Sequence, residues 1–231
     1  MHITLLKHTD DPERTVELAA RLCYSATDIT ALAERIGEKD SSSFLEKILA
    51  LGHHSVLEHV SYTFGIEGIS RACSHQLVRH RIASYSQQSQ RYVTVTGDRL
   101  PVVTPPTIAD DPVAARIFQE GVDASFAAYQ RLVERGVPPE DARFILPNAA
   151  ETRLIVTMNA RELRHFFSLR CCERAQWEIR RLATRMLSLV KPTAPVIFAD
   201  AGPGCVTGPC PEGAMSCGRS NEIRKKFKEM A

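Results

Sequence analysis

No run of this 231-residue sequence approaches the roughly 20 apolar residues that cross a bilayer, so no membrane span is expected. The opening, MHITLLKHTDD, turns charged within a few residues and lacks the apolar core of a secretory signal. A surplus of one charge is missing too: 29 Lys and Arg stand against 27 Asp and Glu, a net charge of +2. That balance gives no global field toward nucleic acid or membrane. Aromatic residues are 6% of the chain, too few for a base-stacking platform. There is no internal repeat and no heptad array. Cysteine is present at seven, an odd number, with four in helical pattern. A reducing cytoplasm suits that better than a disulfide framework.

What is present reads as a globular chain with 44% hydrophobic residues, long enough to bury a core without staples. HITLLK predicts a short strand. PERTVELAARLCYS predicts a helix with Pro in its first turn. Residues 25–40 read as a polar loop. SSSFLEKILALGH predicts a Ser-capped helix stopped at Gly52, and HVSYTFGIEG alternates as a strand does. A helix is expected over 69–80, a turn after it, and a strand over RYVTVTG. PVVTPPTIADD reads as a loop. A long helix over 111–135 follows, then a short one at PPEDARFILP. TRLIVTMNA is expected as a strand, and 160–169 and 173–190 as helices. The expectation is a mixed α/β (α+β) domain over 1–200, with a small, largely antiparallel sheet against several helices. Residues 201–231 form a Cys/Gly/Pro-rich tail ending in a solvated helix.

Arginine outnumbers lysine 22 to 7, and the planar guanidinium fork suits carboxylate and phosphate. One segment concentrates it. RHRIASYSQQSQRY, Arg79 to Tyr92, holds three Arg, three Gln and three Ser and no Asp or Glu. Cations near a helix end help its carbonyls, which explains Arg79, His80 and Arg81 but not the hydroxyls, amides and further Arg that follow. Forks, hydroxyls and free backbone amides together suit a phosphate or a nucleoside. The segment is no Walker loop, since Gly and the Lys-Ser/Thr pair are absent.

The segment resembles the signature of the flavin-dependent thymidylate synthases: Arg-His-Arg, seven residues, then Ser. Arg79, His80, Arg81 and Ser89 fall on its defined positions. GHHSVLEH (52–59), ARFILP (142–147), NARELRHFFSLR (159–170) and AQWEIR (175–180) are similar to further family blocks, in family order, so the likeness covers roughly 10–200. Where other members often have Asn-Glu, this chain has Ser86-Gln87, one negative charge fewer. The resemblance implies conversion of dUMP to dTMP, with 5,10-methylenetetrahydrofolate as carbon donor and NADPH as reductant through FAD. It implies Arg170 as the catalytic group at the uracil edge. It implies FAD held by Ser55, Glu58, Arg79, His80, Arg81, Gln87, Asn159, Arg161 and His165, the last replacing a common Asn. It implies dUMP on Gln76, Arg79, Gln87, Gln88, Ser89, Gln90, Arg91, Arg143 and Arg170, with His53 near the folate. It also implies a homotetramer with sites at subunit contacts, and no nucleic-acid or membrane partner.

Other residue clusters raise other chemistry. HHxxxEH lacks the i, i+4 pair of a zinc helix, so no metal is expected at His53, His54 and His59. Cys171 and Cys172 beside Arg170 and Arg174 raise a thiolate nucleophile; adjacent helical Cys are more often packed as small hydrophobes. Cys205, Cys210 and Cys217 offer three thiols, with no fourth ligand within the tail and no CxxC spacing.

Overall fold

A computed structural model of the chain describes residues 1–36 and 42–230. Four strands form one open antiparallel sheet in the order β1-β2-β4-β3. They are β1 His2–His8, β2 Ser61–Ser70, β3 Ala83–Gln87 and β4 Glu151–Asn159. The helices are α1 Pro12–Leu22, α2 Ile29–Arg35, α3 Ser42–Ala50, α4 Arg71–Leu77, α5 Pro106–Ala109, α6 Pro112–Glu134, α7 Pro139–Ala142, α8 Ala160–Arg170, α9 Trp177–Val190 and α10 Ser220–Lys228. The α+β expectation from the sequence holds.

Alternation places the strands. In β4, Thr152, Leu154, Val156 and Met158 are buried while Glu151, Arg153 and Ile155 are exposed, the period of a half-buried strand. Helix starts follow capping chemistry: Asp28 accepts from the Ala31 N–H, Ser70 from Cys73, Asp111 from Val113, and Asn159 from Glu162.

The described residues group into two compact units. The first holds Met1–His2, Ile66–Arg79 and Tyr85–Ile155; the second holds Ile3–Gly65, His80–Ser84 and the chain from Val156 onward. In the first, Val122, Phe126 and Tyr129 of α6 pack with Leu100, Ala142 and Ala150. In the second, fully buried Phe166 and Phe167 of α8 share a core with Leu182 and Met186 of α9, Val56 and Leu57, and Tyr62 and Phe64 of β2.

Several sequence expectations shift. The polar stretch 25–40 was expected as a loop, yet α2 forms over Ile29–Arg35, because Asp28 caps it and Leu32 and Ile36 find burial; 37–40 lie outside the described residues. The strand expected at 91–97 is absent, and Ala83–Gln87, expected as a turn, is the edge strand. The chain reverses just after it, with the Val93 N–H on the Ser89 carbonyl at 3.0 Å, so Tyr92 and Val93 never join a ladder. The helix expected from 69 begins at Arg71, since Ile69 and Ser70 complete β2. The helix expected from 173 begins at Trp177, where the Gln176 side chain caps it. The loop expected at 101–111 contains α5. The terminal helix is not merely solvated: Ile223 and Phe227 are buried, and Lys191 Nζ donates to the Phe227 carbonyl at 2.8 Å.

Candidate functional site

In the first unit, α4 carries Arg71 and Gln76, and β3 leads into the Gln87–Arg91 turn. The Tyr85 hydroxyl donates to the Leu77 carbonyl at 2.9 Å, which ties the strand to the end of α4. Gln87 Nε2 donates to Ser74 Oγ at 3.1 Å and to Thr152 Oγ1 at 3.0 Å. The Gln88 N–H reaches the Arg153 carbonyl at 3.0 Å, and Ser89 Oγ accepts from the Arg91 N–H at 3.1 Å. Gln88, Ser89 and Gln90 line a cavity of about 460 Å³ with Glu67, Thr94 and Arg153. That volume is within the range of small-molecule sites.

The acid-free look of Arg79–Tyr92 holds only along the chain. Arg91 Nε donates to Glu140 Oε2 at 2.9 Å, from 49 residues away. Arg143 Nε donates to the Glu140 carbonyl at 3.1 Å. Arg71 is the residue the sequence reading missed. Among the described residues its half-buried guanidinium has no hydrogen-bond or ion-pair partner. Burial and then the nearby Arg143 charge pull its pKa down. Two cations held together with water partly removed are a ready seat for an anion. Arg79 is exposed and, among the described residues, without an ion pair; Gln76 is half-buried.

In the second unit, Gly52 ends α3 at φ 79°, a conformation that suits glycine. A 3₁₀ turn over His54–His59 follows, with Val56 and Leu57 buried and His53, Ser55 and Glu58 exposed. Glu58 pairs with Arg161 of α8, so two of the expected flavin residues hold each other. Asn159 spends its Oδ1 capping α8, 2.8 Å from the Glu162 N–H. His165 and Arg81 are exposed, and among the described residues no ion pair holds Arg81.

The centre of this set is buried. His80 Nδ1 is 3.1 Å from Glu162 Oε1, and Arg170 Nε donates to His80 Nε2 at 3.0 Å. The His80 ring stands edge-on to Phe166 at 4.9 Å. Burial, then Arg170, then His165 push the His80 pKa down to about 4. The Glu162 contact is therefore a hydrogen bond from a neutral ring near pH 7, not an ion pair. Burial raises the Glu162 carboxyl above its ordinary value. Among the described residues, neither terminal nitrogen of Arg170 has a hydrogen-bond partner.

The depressed His80 pKa has a stability consequence. Between pH 6.5 and about 4 the unfolded chain binds a proton that the folded ring refuses, so stability falls with pH. The loss is up to about 3 kcal/mol and stops near pH 4. Urea unfolding at pH 7.5 and 4.5 should show this decline in the unaltered chain and a smaller one in His80→Gln. Equal declines overturn it.

The thiol alternatives separate by burial. Cys171 is 2% exposed and burial drives its thiol up to about 12, so it is no thiolate at neutral pH. Cys172, Cys205, Cys210 and Cys217 line one small cavity in this unit, so a fourth thiol stands near the three of the tail. Among the described residues no group of three or more His, Cys, Asp or Glu is arranged to hold a metal ion.

Sequence reasoning also missed Glu162. Asn159 and Glu162 are spaced as a helix-capping pair, which hides the side chain's use. Its partner lies 82 residues away, and no local pattern shows that.

The family described as "Thymidylate synthase complementing protein" matches residues 4–196. The flavin-dependent thymidylate synthase of Geobacter sulfurreducens is 63% identical over 231 residues, all of both chains. Those of Clostridium tetani and Pyrococcus furiosus are 48% and 45% identical, over 97% and 100% of this chain and 96% and 98% of theirs.

Proposed function

We infer, from the premise that this chain belongs to the thymidylate synthase complementing protein family, that it is a flavin-dependent thymidylate synthase. It converts dUMP to dTMP with 5,10-methylenetetrahydrofolate as carbon donor and NADPH as reductant through FAD. The observation that carries the reading into the molecule is Arg170, whose Nε is spent on His80 while its terminal nitrogens are left for a ligand.

Carbon 5 of uracil is a poor nucleophile. Negative charge drawn onto N3 and O4 makes it reactive, and a guanidinium placed there beforehand stabilises that charge as it develops. Arg170 is our candidate for that position. The phosphate of dUMP goes to the cation-rich patch of the first unit. There Arg143 and Arg71 supply forks, and the Gln87–Arg91 turn supplies hydroxyl, amide and backbone donors. Gln76 and Arg79 complete the dUMP set as the resemblance places it. Gln87 Nε2 is engaged by Ser74 and Thr152, which leaves its carbonyl oxygen as the group it can offer a nucleotide.

The residues fit FAD. Arg79 and Arg81 are exposed guanidiniums without ion pairs among the described residues, which suits a diphosphate. Ser55, Asn159 and His165 add hydrogen-bonding groups, and the Glu58–Arg161 pair orients a further fork. When bound, the flavin carries reducing equivalents from NADPH toward the pyrimidine. His53 is exposed at the start of the 3₁₀ turn, and we place the folate beside it.

The assembly is a homotetramer in the cytoplasm, with neighbouring chains closing each site. Cations left without carboxylates among the described residues favour partners from outside the chain. Among the described residues no helix is long and apolar enough to cross a membrane.

An absorption spectrum tests the function. The purified protein should be yellow with flavin bands, and NADPH oxidation should quicken when dUMP is added. A colourless protein, inert after FAD is supplied, sinks the reading.

A further inference from the structure

We propose that Glu162 and His80 are positioning residues for Arg170: the Glu162 carboxylate fixes the His80 tautomer, and the bare His80 Nε2 then holds the Arg170 guanidinium in one orientation. The proposal rests on the thymidylate synthase reading for what Arg170 does. The arrangement itself stands on geometry alone.

A neutral imidazole has one N–H donor and one acceptor nitrogen. A carboxylate only accepts. Glu162 Oε1 at 3.1 Å from Nδ1 therefore places the ring proton on Nδ1. Nε2 is left as the acceptor, and Arg170 Nε, which only donates, lies 3.0 Å from it. The three groups form a chain with a single consistent hydrogen pattern. In the other tautomer the Nε2 proton would face the Arg170 N–H, and the guanidinium would have to leave. An acceptor-only carboxylate behind an imidazole is a known way to fix which nitrogen carries the proton.

The surroundings make the orientation rigid. His80 and Glu162 are 5% and 6% exposed, too buried for water to offer rival partners. Phe166, one turn beyond Glu162, packs edge-on to the imidazole. Glu162 and Arg170 both belong to α8, eight residues apart, so the helix backbone sets the spacing that the ring bridges. Burial also keeps the ring neutral, with His165 and Arg170 disfavouring a second proton. One edge of Arg170 is thus occupied, and its terminal nitrogens keep a fixed direction at no ordering cost when substrate arrives.

Four proteins test this: the unaltered chain, Glu162→Gln, His80→Gln and His80→Asn. Gln at 80 sets its amide near the Nε2 position and can still accept from Arg170. Asn is too short to do so. Bound FAD is counted from absorbance, and dTMP formation gives kcat and KM for dUMP. Ring ¹⁵N couplings of histidine-labelled protein report the tautomer, with the His80 signal identified by its loss in His80→Gln.

The unaltered chain should show His80 protonated on Nδ1 and bare on Nε2, and Glu162→Gln should show a mixture. Glu162→Gln should lose about tenfold in kcat/KM, the worth of one well-made hydrogen bond, with FAD content unchanged. His80→Gln should exceed His80→Asn by about tenfold in kcat/KM. The proposal is overturned by a proton on Nε2 in the unaltered chain. It is equally overturned if the two His80 variants turn over alike, or if Glu162→Gln matches the unaltered rate. Should Glu162→Gln fail to fold, the His80 pair and the tautomer decide. If the unaltered chain makes no dTMP, the functional reading fails, while the couplings still decide the tautomer.

Discussion

Arg170→Ala is expected to lower dTMP formation by about 10²–10³-fold, the usual loss when one preorganised charge-stabilising donor is removed, while FAD stays bound. The separation follows from where the side chain spends its donors. Nε serves His80, and the terminal nitrogens serve no other described residue. The residues proposed to hold the flavin, Ser55, Glu58, Arg81, Asn159 and Arg161, are untouched by the change. Arg170→Lys should recover little, because an ammonium keeps the charge but cannot both hold His80 Nε2 and present a two-pronged edge. Turnover is measured as dTMP formed, and bound flavin by absorbance on the same sample. Near-wild-type turnover in the alanine variant would remove Arg170 from the chemistry. Loss of flavin with loss of turnover would make it a cofactor residue instead.

Arg71→Met should separate stability from substrate binding in opposite directions. Without ligand, Arg71 and Arg143 repel each other, and among the described residues the half-buried Arg71 has no hydrogen-bond or ion-pair partner. Removing one of two like charges from such a patch relieves that cost, and Met keeps the apolar stem packed. The thermal midpoint without ligand should therefore hold or rise. A charge-assisted hydrogen bond is worth about 1.5–3 kcal/mol, so KM for dUMP should rise by about 10–100-fold. Stabilisation of the folded chain by added dUMP should shrink with it. A variant that loses thermal stability and keeps its KM would show that Arg71 is structural.

The sequence announced one part of the site well and another part hardly at all. RHRIASYSQQSQRY showed its cations and hydroxyls directly, and Pro12 and Gly52 marked a helix start and a helix stop, because these patterns act within a few residues. The edge strand was misplaced: RYVTVTG has β-branched residues, but Ala83–Gln87 lies beside β4 and takes the ladder. Propensity yields to position in a sheet, since a strand is worth forming only where a neighbour offers its N–H and carbonyl groups. Arg91 looked unpaired in the chain and is paired in space, because Glu140 sits on a separate helix.

Residue types and their order determined that this chain is a mixed α/β protein with a guanidinium-rich polar segment and the blocks of a flavin-dependent thymidylate synthase. Tertiary structure alone decided the rest. It seated Arg71 beside Arg143, buried Cys171 beyond use as a nucleophile, and joined Glu162, His80 and Arg170 into one hydrogen-bonded line. The reason is range: capping, alternation and composition act over a few residues, whereas burial, charge proximity and tautomer depend on groups that meet only when distant segments pack.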